Sequence, residues 1–421
     1  MNILIDGHDI SLVGGIERFT ANFADAMTRR GHRVFLFTYS PPGTRHKFAL
    51  NRGVTLVHYP FTGDPAHIPA LRRQILACAP DVLVSPASFN NHLLWCAALA
   101  ETDIPWIFSE HSDPWIIEKE RWNQAERQAA LCAADGIHLL LKGFVASVPA
   151  MLRQRTHVIP NPLGISPAQS REPRESGIAL LSLGRLEANK QNHLLLDAFA
   201  LLLPDFPQWR LEIWGEGEEY AHLGRRIQRL NLQDRAWLRG LAANPEKQYA
   251  TADIFCFPSR HEGFGLVAVE AMSFSLPVVG FAGCAALNEI VRHGETGLLA
   301  PEMTAESLAA SLCALMENES LRRTMGENAR RATDVYGPER VFDAWEALLE
   351  KTAARRGKTR LRECLSGRAD KPEIERHYAL MREILRRKNV LLQNSQWARR
   401  IARRYPLLKK MIRPVRRLLR G

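Results

Sequence analysis

Short apolar runs alternate with amphipathic helical patterns along the first 165 residues. Residues 3–5 form the first apolar run, and a loop with paired glycines and a predicted helix over residues 17–30 follow it. Later runs predict strands over residues 33–39, 54–58, 81–85 and 106–109. Uninterrupted apolar runs of this length are typical of strands buried on both faces of a parallel sheet.

The same alternation begins again after a stretch of different composition. Residues 163–177 are rich in Pro, Ser, Arg and Gly, which predicts an interdomain linker. The second set of apolar runs predicts strands over residues 179–183, 210–214, 236–238, 254–258 and 277–281. We therefore predict an α/β protein with two facing, doubly wound, Rossmann-like domains, residues 1–165 and 166–350, that bind a ligand between the carboxyl ends of their strands.

Charge divides the chain more sharply than hydropathy does. The 421 residues carry a net charge of +11, but residues 351–421 hold 23 Lys and Arg against 5 Asp and Glu, whereas residues 1–350 hold 33 against 40. Beyond Glu383 there are 13 basic residues and no acidic one, and apolar residues recur every three or four positions, at Trp397, Ile401, Tyr405, Leu408, Ile412, Val415 and Leu419. This pattern predicts a basic helical tail over residues 351–421, interrupted at Pro406 and Pro414.

An amphipathic, polybasic segment is attracted to anionic lipid. We therefore expect residues 389–421 to bind an anionic membrane surface; packing of the tail on the acidic body is the alternative. A nucleic-acid-binding protein is an alternative of another class, which the acidic body and the lack of recognition motifs disfavour.

Seven scattered cysteines, without a C-x-x-C pair or a His-rich cluster, argue against a zinc site and against a disulfide framework. Asp6 interrupts the first apolar run, no basic leader precedes it, and no run approaches the ~18 uncharged apolar residues of a spanning helix. These features predict a cytoplasmic protein that associates peripherally with the inner face of the cytoplasmic membrane.

Candidate chemistry lies in the loops that follow predicted strands. Gly14 and Gly15 open the first helix, where bare backbone and free amides suit a phosphate, although such a pair is more often only a tight turn. Arg185 and Lys190 follow the strand at residues 179–183, and together they suit a diphosphate; a solvated loop is the alternative.

Two carboxylates follow the strand at residues 254–258. Glu262 lies in a glycine-rich loop, where it can hold sugar hydroxyls, and Glu270 lies about one turn into a helix that begins near Leu266, where it can hold a ribose diol. A capped helix with solvated acids is the alternative.

His111 follows the strand at residues 106–109, where it can donate to a phosphate or to a sugar hydroxyl. The neighbouring Glu110 and Asp113 also permit acid/base chemistry. The chain contains no D-x-D pair, no H-E-x-x-H, no G-x-S-x-G and no P-loop sequence. We therefore expect no metal and no cofactor, with Arg185, Lys190 and backbone dipoles stabilising a departing diphosphate.

Together these motifs resemble glycosyltransferase family 4, whose members have the GT-B fold. The resemblance rests on residues 14–18, 159–162 and 184–190 and on the segment from Glu262 to Glu270, and it spans roughly residues 1–350. The pairs Asn161-Pro162 and Ala188-Asn189 depart mildly from the family pattern. The resemblance implies that the first domain lies on the acceptor side, that the second binds the nucleotide sugar, and that its last helix returns to the first.

The implied activity is that of a retaining, metal-independent hexosyltransferase. It would move a hexosyl or N-acetylhexosaminyl unit from a nucleoside-diphosphate sugar, usually a UDP-sugar, to a glycan or lipid-linked oligosaccharide in cell-surface polysaccharide biosynthesis. A nucleotide-sugar epimerase or a glycoside phosphorylase of the same fold is the alternative.

By the same resemblance, Glu262, His111, Arg185 and Lys190 are the expected catalytic residues. Leu241 occupies the position that meets the nucleobase, and the glycine amides address phosphate. The complete set of expected donor-binding residues is Gly14, Gly15, Arg185, Lys190, Leu241, Glu262, Gly263, Phe264, Gly265, Leu266 and Glu270.

Overall fold

The computed structural model describes residues 1–12, 14–59, 67–87, 92–99, 102–116, 124–165 and 178–358. In this part of the chain the first half forms a seven-stranded parallel sheet, in the order β3-β2-β1-β4-β5-β6-β7. Its strands are Asn2–Asp6 (β1), Arg33–Thr38 (β2), Thr55–His58 (β3), Val82–Ala87 (β4), Trp106–Glu110 (β5), Gly136–Leu139 (β6) and Thr156–Val158 (β7). Its helices are Gly15–Arg29 (α1), Ile68–Ala77 (α2), His92–Leu99 (α3) and Gln124–Ala133 (α4).

The second half forms a six-stranded parallel sheet in the order β10-β9-β8-β11-β12-β13. Its strands are Ile178–Leu183 (β8), Trp209–Trp214 (β9), Ala236–Leu238 (β10), Ile254–Phe257 (β11), Val278–Phe281 (β12) and Gly297–Ala300 (β13). The helices are Asn192–Leu202 (α5), Tyr220–Arg229 (α6), Pro245–Thr251 (α7), Leu266–Ser273 (α8), Ala285–Ile290 (α9), Ala305–Glu317 (α10), Glu319–Ala332 (α11) and Pro338–Ala353 (α12).

Both sheets are doubly wound, as predicted. In each, the first strand in sequence lies inside the sheet, and the strand order reverses beside it, between β1 and β4 and between β8 and β11. Loops diverge at such a switch point and leave a crevice beyond the carboxyl ends of the strands. The loops that follow β1, β8 and β11 therefore carry the predicted chemistry to these two crevices.

Three strands escaped the sequence prediction, namely β6, β7 and β13. They are only three or four residues long, and His138 and His157 interrupt the apolar pattern of the first two. The first helix begins at Gly15, two residues before the predicted start, because Gly14 is extended (φ −165°) and serves as its N-cap. Residues 166–177 of the predicted linker lie outside the described residues, as does the predicted basic tail from residue 359 onward.

The last described helix, α12, packs against the first sheet. The Trp345 ring on this helix is fully buried, with its centroid 4.8 Å from that of Phe23 and 5.7 Å from that of Phe19 on α1. These rings belong to one apolar core with the β1 residues Ile3 and Ile5. Removing a buried aromatic side chain costs about 3–5 kcal/mol, so α12 is a major part of the first domain's core. None of the described helices is long and apolar enough to cross a membrane.

Candidate active site

Two loops of the second sheet are joined by hydrogen bonds. The Arg260 amide donates a hydrogen bond to the Asn189 carbonyl at 2.9 Å, and the Asn189 side-chain amide donates to the His261 carbonyl at 3.1 Å. The first loop follows β8 and the second follows β11. Since these strands are neighbours in the sheet, the two separately predicted motifs lie side by side.

Lys190 and Glu262 form an ion pair across these two loops. Their side chains are only 14% and 13% exposed, and the Lys190 ammonium also lies 5.0 Å from the centre of the Phe257 ring. A charged pair in such a partly dry place interacts more strongly than a pair at the surface. The cation predicted for the diphosphate thus lies directly beside the carboxylate predicted for the sugar.

Arg185 lies in a different environment, because its side chain is 66% exposed and pairs with Glu187 at 2.7 Å. An exposed pair of this kind contributes little, so the guanidinium is available to a stronger anionic partner. The loop itself is fixed by close packing of the backbone. A Cβ atom on Gly215 would lie 1.8 Å from the Gly184 carbonyl oxygen, and one on Gly217 would lie 2.3 Å from that of Leu186.

The glycine-rich loop after β11 brings the two domains into contact. A Cβ atom on Gly263 would lie 2.1 Å from the carbonyl oxygen of His111, which belongs to the first domain. Gly265 has a left-handed φ of +89° and serves as the N-cap of α8 without a side-chain cap. The buried Phe264 ring packs edge-on against Tyr336, at 5.6 Å between centroids. The loop is therefore held in place while the N-terminus of α8 keeps amides uncapped by side chains.

Glu270 lies one turn inside α8, as predicted, because the helix begins at Leu266. Its side chain is 1% exposed and accepts hydrogen bonds from Arg18 of α1 and, at 3.0 Å, from the Tyr249 hydroxyl. Burial raises the pKa of the Glu270 carboxyl above its ordinary value, and the Arg18 charge opposes this rise. We name Arg18, Lys190, Glu262 and Glu270 the charged cluster.

The paired glycines have distinct surroundings at the start of α1. A Cβ atom on Gly15 would meet no atom within 4 Å, whereas one on Gly14 would come within 2.3 Å of the Glu17 carboxylate. No side chain caps the helix. Packing therefore does not explain the glycine at position 15, and the absence of a side chain there leaves the backbone open to a ligand.

His111 is buried, with its ring 4.5 Å from that of Phe19 and its Nε2 atom 2.9 Å from the Ser109 hydroxyl. Burial lowers the pKa of His111 well below its ordinary value, and His138 and His8 add to the effect. The ring is therefore neutral at physiological pH.

The neighbouring Glu110 does not fit the acid/base role that the sequence permitted. Its carboxylate accepts two hydrogen bonds from Arg127, at 2.7 and 2.8 Å, in a pair that is almost completely buried. Asp113 accepts a bond from the Trp115 amide at 2.9 Å, which closes a local turn. Both carboxylates thus take part in local structure.

The structure brings Lys190 to Glu262 and Gly263 to the His111 carbonyl, and Leu241 is an exposed member of the predicted set. Its side chain is 62% exposed in the loop after β10, where the Gly215 amide donates to the Gly240 carbonyl at 2.7 Å. Within the part of the chain that the structure describes, no group of three or more His, Cys, Asp and Glu could hold a metal ion. The metal-independence of the reaction stays a prediction.

Two family models match the chain. A model described as Glycosyltransferase Family 4 matches residues 13–165, and one described as Glycosyl transferases group 1 matches residues 167–332. The chain belongs to glycosyltransferase family 4.

Relatives of this glycosyltransferase cover different shares of it. An exopolysaccharide phosphotransferase of Streptomyces coelicolor is 33% identical over 251 residues, which cover 55% of this chain and 26% of that protein. An uncharacterized glycosyltransferase of Haemophilus influenzae is 25% identical over 348 residues, which cover 81% of this chain and 98% of that protein.

Solved structures of similar fold cover the body of this glycosyltransferase. Sucrose-phosphate synthase of Thermosynechococcus elongatus has a TM-score of 0.69 at 20% identity, over 84% of this chain and 99% of that one. HepE of Anabaena, in complex with UDP and glucose, has a TM-score of 0.69 at 19% identity, over 83% and 99%. These similarities confirm the predicted GT-B fold.

Sequence reasoning missed four residues at the site of this glycosyltransferase: Arg18, Ser109, His138 and Tyr249. Arg18 was part of the glycine motif but received no role, because its partner Glu270 is 252 positions away. Ser109 and His138 become neighbours only through strand register, which pairs them across β5 and β6. Neither a motif nor the hydrophobic pattern of the sequence indicates that Tyr249 belongs to the site.

Proposed function

We propose that this glycosyltransferase transfers a hexosyl or N-acetylhexosaminyl unit from a UDP-sugar to a glycan or lipid-linked oligosaccharide, with retention at the anomeric carbon, in the synthesis of a cell-surface polysaccharide. The observation that carries the proposal is the Lys190–Glu262 pair, at the carboxyl ends of β8 and β11 and beside the His111 loop of the first sheet. In this pair the cation that we propose for phosphate lies beside the carboxylate that we propose for the sugar, at the switch point of the second sheet.

Names and ligands of similar proteins support the substrate class. HepE binds UDP-glucose in one solved structure. Relatives include an amylovoran biosynthesis glycosyltransferase of Erwinia amylovora and a Campylobacter jejuni enzyme named for transfer of N-acetylgalactosamine onto a diphospho-undecaprenol-linked sugar. These are 28% and 32% identical to this chain over 170 and 171 residues.

The diphosphate would bind Lys190, Arg185 and the uncapped amides at the starts of α1 and α8. A diphosphate brings more negative charge to Lys190 than Glu262 does, so it would take over the ammonium and leave the Glu262 carboxylate to the sugar hydroxyls. As the bond between the anomeric carbon and the phosphate oxygen breaks, the same cations stabilise the charge that develops on the leaving phosphate. Neither a metal ion nor a cofactor is part of this proposal.

The nucleoside would bind at Glu270 and Leu241. The Glu270 carboxylate is held by Arg18 and Tyr249, so its oxygens are already oriented when a ribose diol arrives. Leu241 presents an exposed apolar side chain that suits the face of a nucleobase.

Retention is proposed to proceed on one face of the sugar. The acceptor hydroxyl attacks the anomeric carbon from the face on which the phosphate leaves. The electron pair of the broken carbon–oxygen bond stays on the phosphate oxygen, and the leaving phosphate accepts the proton of the acceptor hydroxyl. No carboxylate is assigned as a covalent nucleophile. Glu262 is proposed to bind the sugar hydroxyls, and Glu110 is held by Arg127.

The test is a donor screen with the full chain. Thermal unfolding is measured with UDP-, GDP- and ADP-sugars, and the stabilising donor is then incubated with lipid-linked and free glycan acceptors. We expect UDP-sugars alone to raise the unfolding temperature, and an NMR spectrum of the product to show the donor's anomeric configuration. Phosphate-dependent release of sugar, epimerised donor, or an inverted product would contradict the proposal.

A further inference from the structure

Three polar side chains of the first domain form a buried row behind the candidate site. Ser109 on β5 and His138 on β6 are opposite each other in the parallel register, and His111 lies two residues beyond Ser109. The Ser109 hydroxyl oxygen lies 2.8 Å from Nδ1 of His138 and 2.9 Å from Nε2 of His111. At the far end, Nε2 of His138 lies 2.7 Å from the carbonyl oxygen of Ile159. We name Ser109, His111 and His138 the histidine relay.

The proton positions in this row follow from its chemistry, beginning at the far end. A carbonyl oxygen only accepts hydrogen bonds, so Nε2 of His138 carries a proton and donates a hydrogen bond to the Ile159 carbonyl oxygen. Burial lowers the pKa of His138 to about 3, so the ring is neutral and its Nδ1 holds a lone pair. The Ser109 hydroxyl has one proton, and it uses this proton to donate a hydrogen bond to Nδ1 of His138.

The Ser109 oxygen then has only lone pairs to offer to His111. Nε2 of His111 therefore carries a proton and donates a hydrogen bond to the Ser109 hydroxyl oxygen. Since the His111 ring is also neutral, its Nδ1 is left with a lone pair. Among the described residues, Nδ1 of His111 has no hydrogen-bond partner. The Trp345 ring lies 4.3 Å from that of His138, and Ser109, His138 and Trp345 are completely buried.

We propose that Ser109 and His138 are positioning residues that fix the proton of His111 on Nε2, so that Nδ1 accepts a hydrogen bond from a hydroxyl group of the bound sugar substrate. The inference rests on the proposed function for the identity of that substrate. In this contact the sugar hydroxyl is the donor and Nδ1 of His111 is the acceptor. A ring without a proton on Nδ1 cannot donate a hydrogen bond from that atom to a phosphate oxygen. It also replaces the donor role that the sequence suggested for His111.

The direct test observes the histidine ring nitrogens by NMR. Full-length protein is labelled with ¹⁵N-histidine, and two-bond ¹H–¹⁵N correlations report which nitrogen of each ring carries the proton. The signals of His111 and His138 are assigned from their loss in His111→Gln and His138→Gln. We expect both rings to be neutral with the proton on Nε2.

Ser109→Ala removes the oxygen that joins the two rings. We expect His138 to keep its proton on Nε2, because Ile159 still accepts it, whereas His111 becomes a mixture with protons on Nδ1 and Nε2. Ser109→Thr keeps a hydroxyl and is expected to restore the single form of His111. A His111 spectrum unchanged in Ser109→Ala, or a wild-type ring with its proton on Nδ1, would overturn the proposal.

A ligand titration identifies what Nδ1 contacts. A UDP-sugar is expected to shift the Nδ1 resonance of His111, and UDP alone is expected to leave it unchanged; a shift with acceptor alone would place the hydroxyl on the acceptor. Equal shifts with UDP and UDP-sugar would indicate a phosphate contact and would overturn the hydroxyl assignment, as would no shift with any sugar substrate.

Kinetics separate this inference from the proposed function. Ser109→Ala is expected to lower kcat/KM for the donor by about fivefold, and Ser109→Thr to recover it to within about twofold. Thermal unfolding of both variants checks that they fold. If the spectra behave as expected but the wild-type protein transfers no sugar, the proposed function fails while the assignment of the His111 proton stands.

Discussion

The charged cluster and the histidine relay meet where Gly263 touches the His111 carbonyl, yet they are built in opposite ways. The charged cluster consists of ion pairs, Arg18 with Glu270 and Lys190 with Glu262, in which a charged ligand can replace one partner. The relay consists of neutral groups whose buried hydrogen bonds allow one arrangement. One side of the site can thus exchange partners with the leaving group, and the other keeps a fixed direction for a neutral hydroxyl.

The largest effect is expected when the exchangeable pair is broken. Lys190→Ala removes the cation proposed to stabilise the leaving diphosphate, and kcat for donor hydrolysis should fall by about a hundredfold. Glu262→Ala should lower turnover at least about tenfold, which corresponds to ~1.4 kcal/mol. Steady-state hydrolysis of the UDP-sugar measures both.

Arg323→Ala and Glu319→Ala are the matched controls, because these residues form an exposed pair on α11. Both should retain wild-type rates. Near wild-type turnover of Lys190→Ala or Glu262→Ala would remove that residue from the proposed chemistry.

The second pair tests whether Arg18 supports the donor site from the other domain. Arg18→Ala leaves the buried Glu270 carboxylate without its counter-charge, so the pKa of Glu270 should rise further above its ordinary value. UDP affinity, measured by calorimetry, should weaken by about tenfold at neutral pH. The pH below which affinity declines should also move upward, because protonation removes the charged acceptor.

Arg29→Ala is the control on the same helix, since Arg29 is exposed and pairs with Asp25 one turn away. Tighter UDP binding by Arg18→Ala would mean that Arg18 only competes with the nucleotide for Glu270.

For the histidine relay we predict that the stability of the protein, rather than its affinity for a ligand, depends on pH. His138 has a pKa of about 3 in the folded chain and an ordinary value near 6.5 when unfolded, so the unfolded state gains a proton as the pH falls below about 6.5. The free energy of unfolding should therefore decrease by up to about 1.4 kcal/mol per pH unit between pH 6 and 4 through this group alone.

Urea unfolding of the wild type and of His138→Gln at several pH values measures this contribution. The variant should be less stable at pH 7 and should show a shallower decrease toward pH 4. Parallel curves would show that His138 is not buried in its neutral form.

The smallest effect on the chemistry is expected from the basic tail, which includes neither side of the site. Deletion of residues 389–421 removes 10 Lys and Arg, and binding to vesicles with anionic lipid should fall strongly while donor hydrolysis stays within about twofold. Vesicles of neutral lipid serve as the control. Equal sedimentation of both proteins with anionic vesicles would contradict the proposed membrane contact.

Local pattern was sufficient to predict what lies at the ends of the longer strands. Apolar runs located β8 and β11, and Lys190 and Glu262 follow these strands closely, so their proximity could be expected from sheet topology alone. Glu270 could be placed one turn into a helix because the glycine at 265 marked its start.

Contacts that depend on register or on domain approach could not be predicted in this way. Ser109 lies beside His138 because the register of β5 and β6 places these two residues opposite each other. The apolar pattern of β6 is too weak to predict this strand, because it has only four residues and one of them is a histidine. The bond between Arg18 and Glu270 joins two domains, and no periodicity within either of them specifies it.

The return of α12 to the first sheet has a consequence for synthesis of the chain on the ribosome. The last strand of that sheet ends at Val158, but Trp345, which covers Phe19 and Phe23, is added 187 residues later. At typical rates of elongation this interval lasts about 10–40 s. The nascent first half must therefore shield two aromatic rings throughout this interval, either by transient contacts of its own or with the help of a chaperone, before its own core is complete.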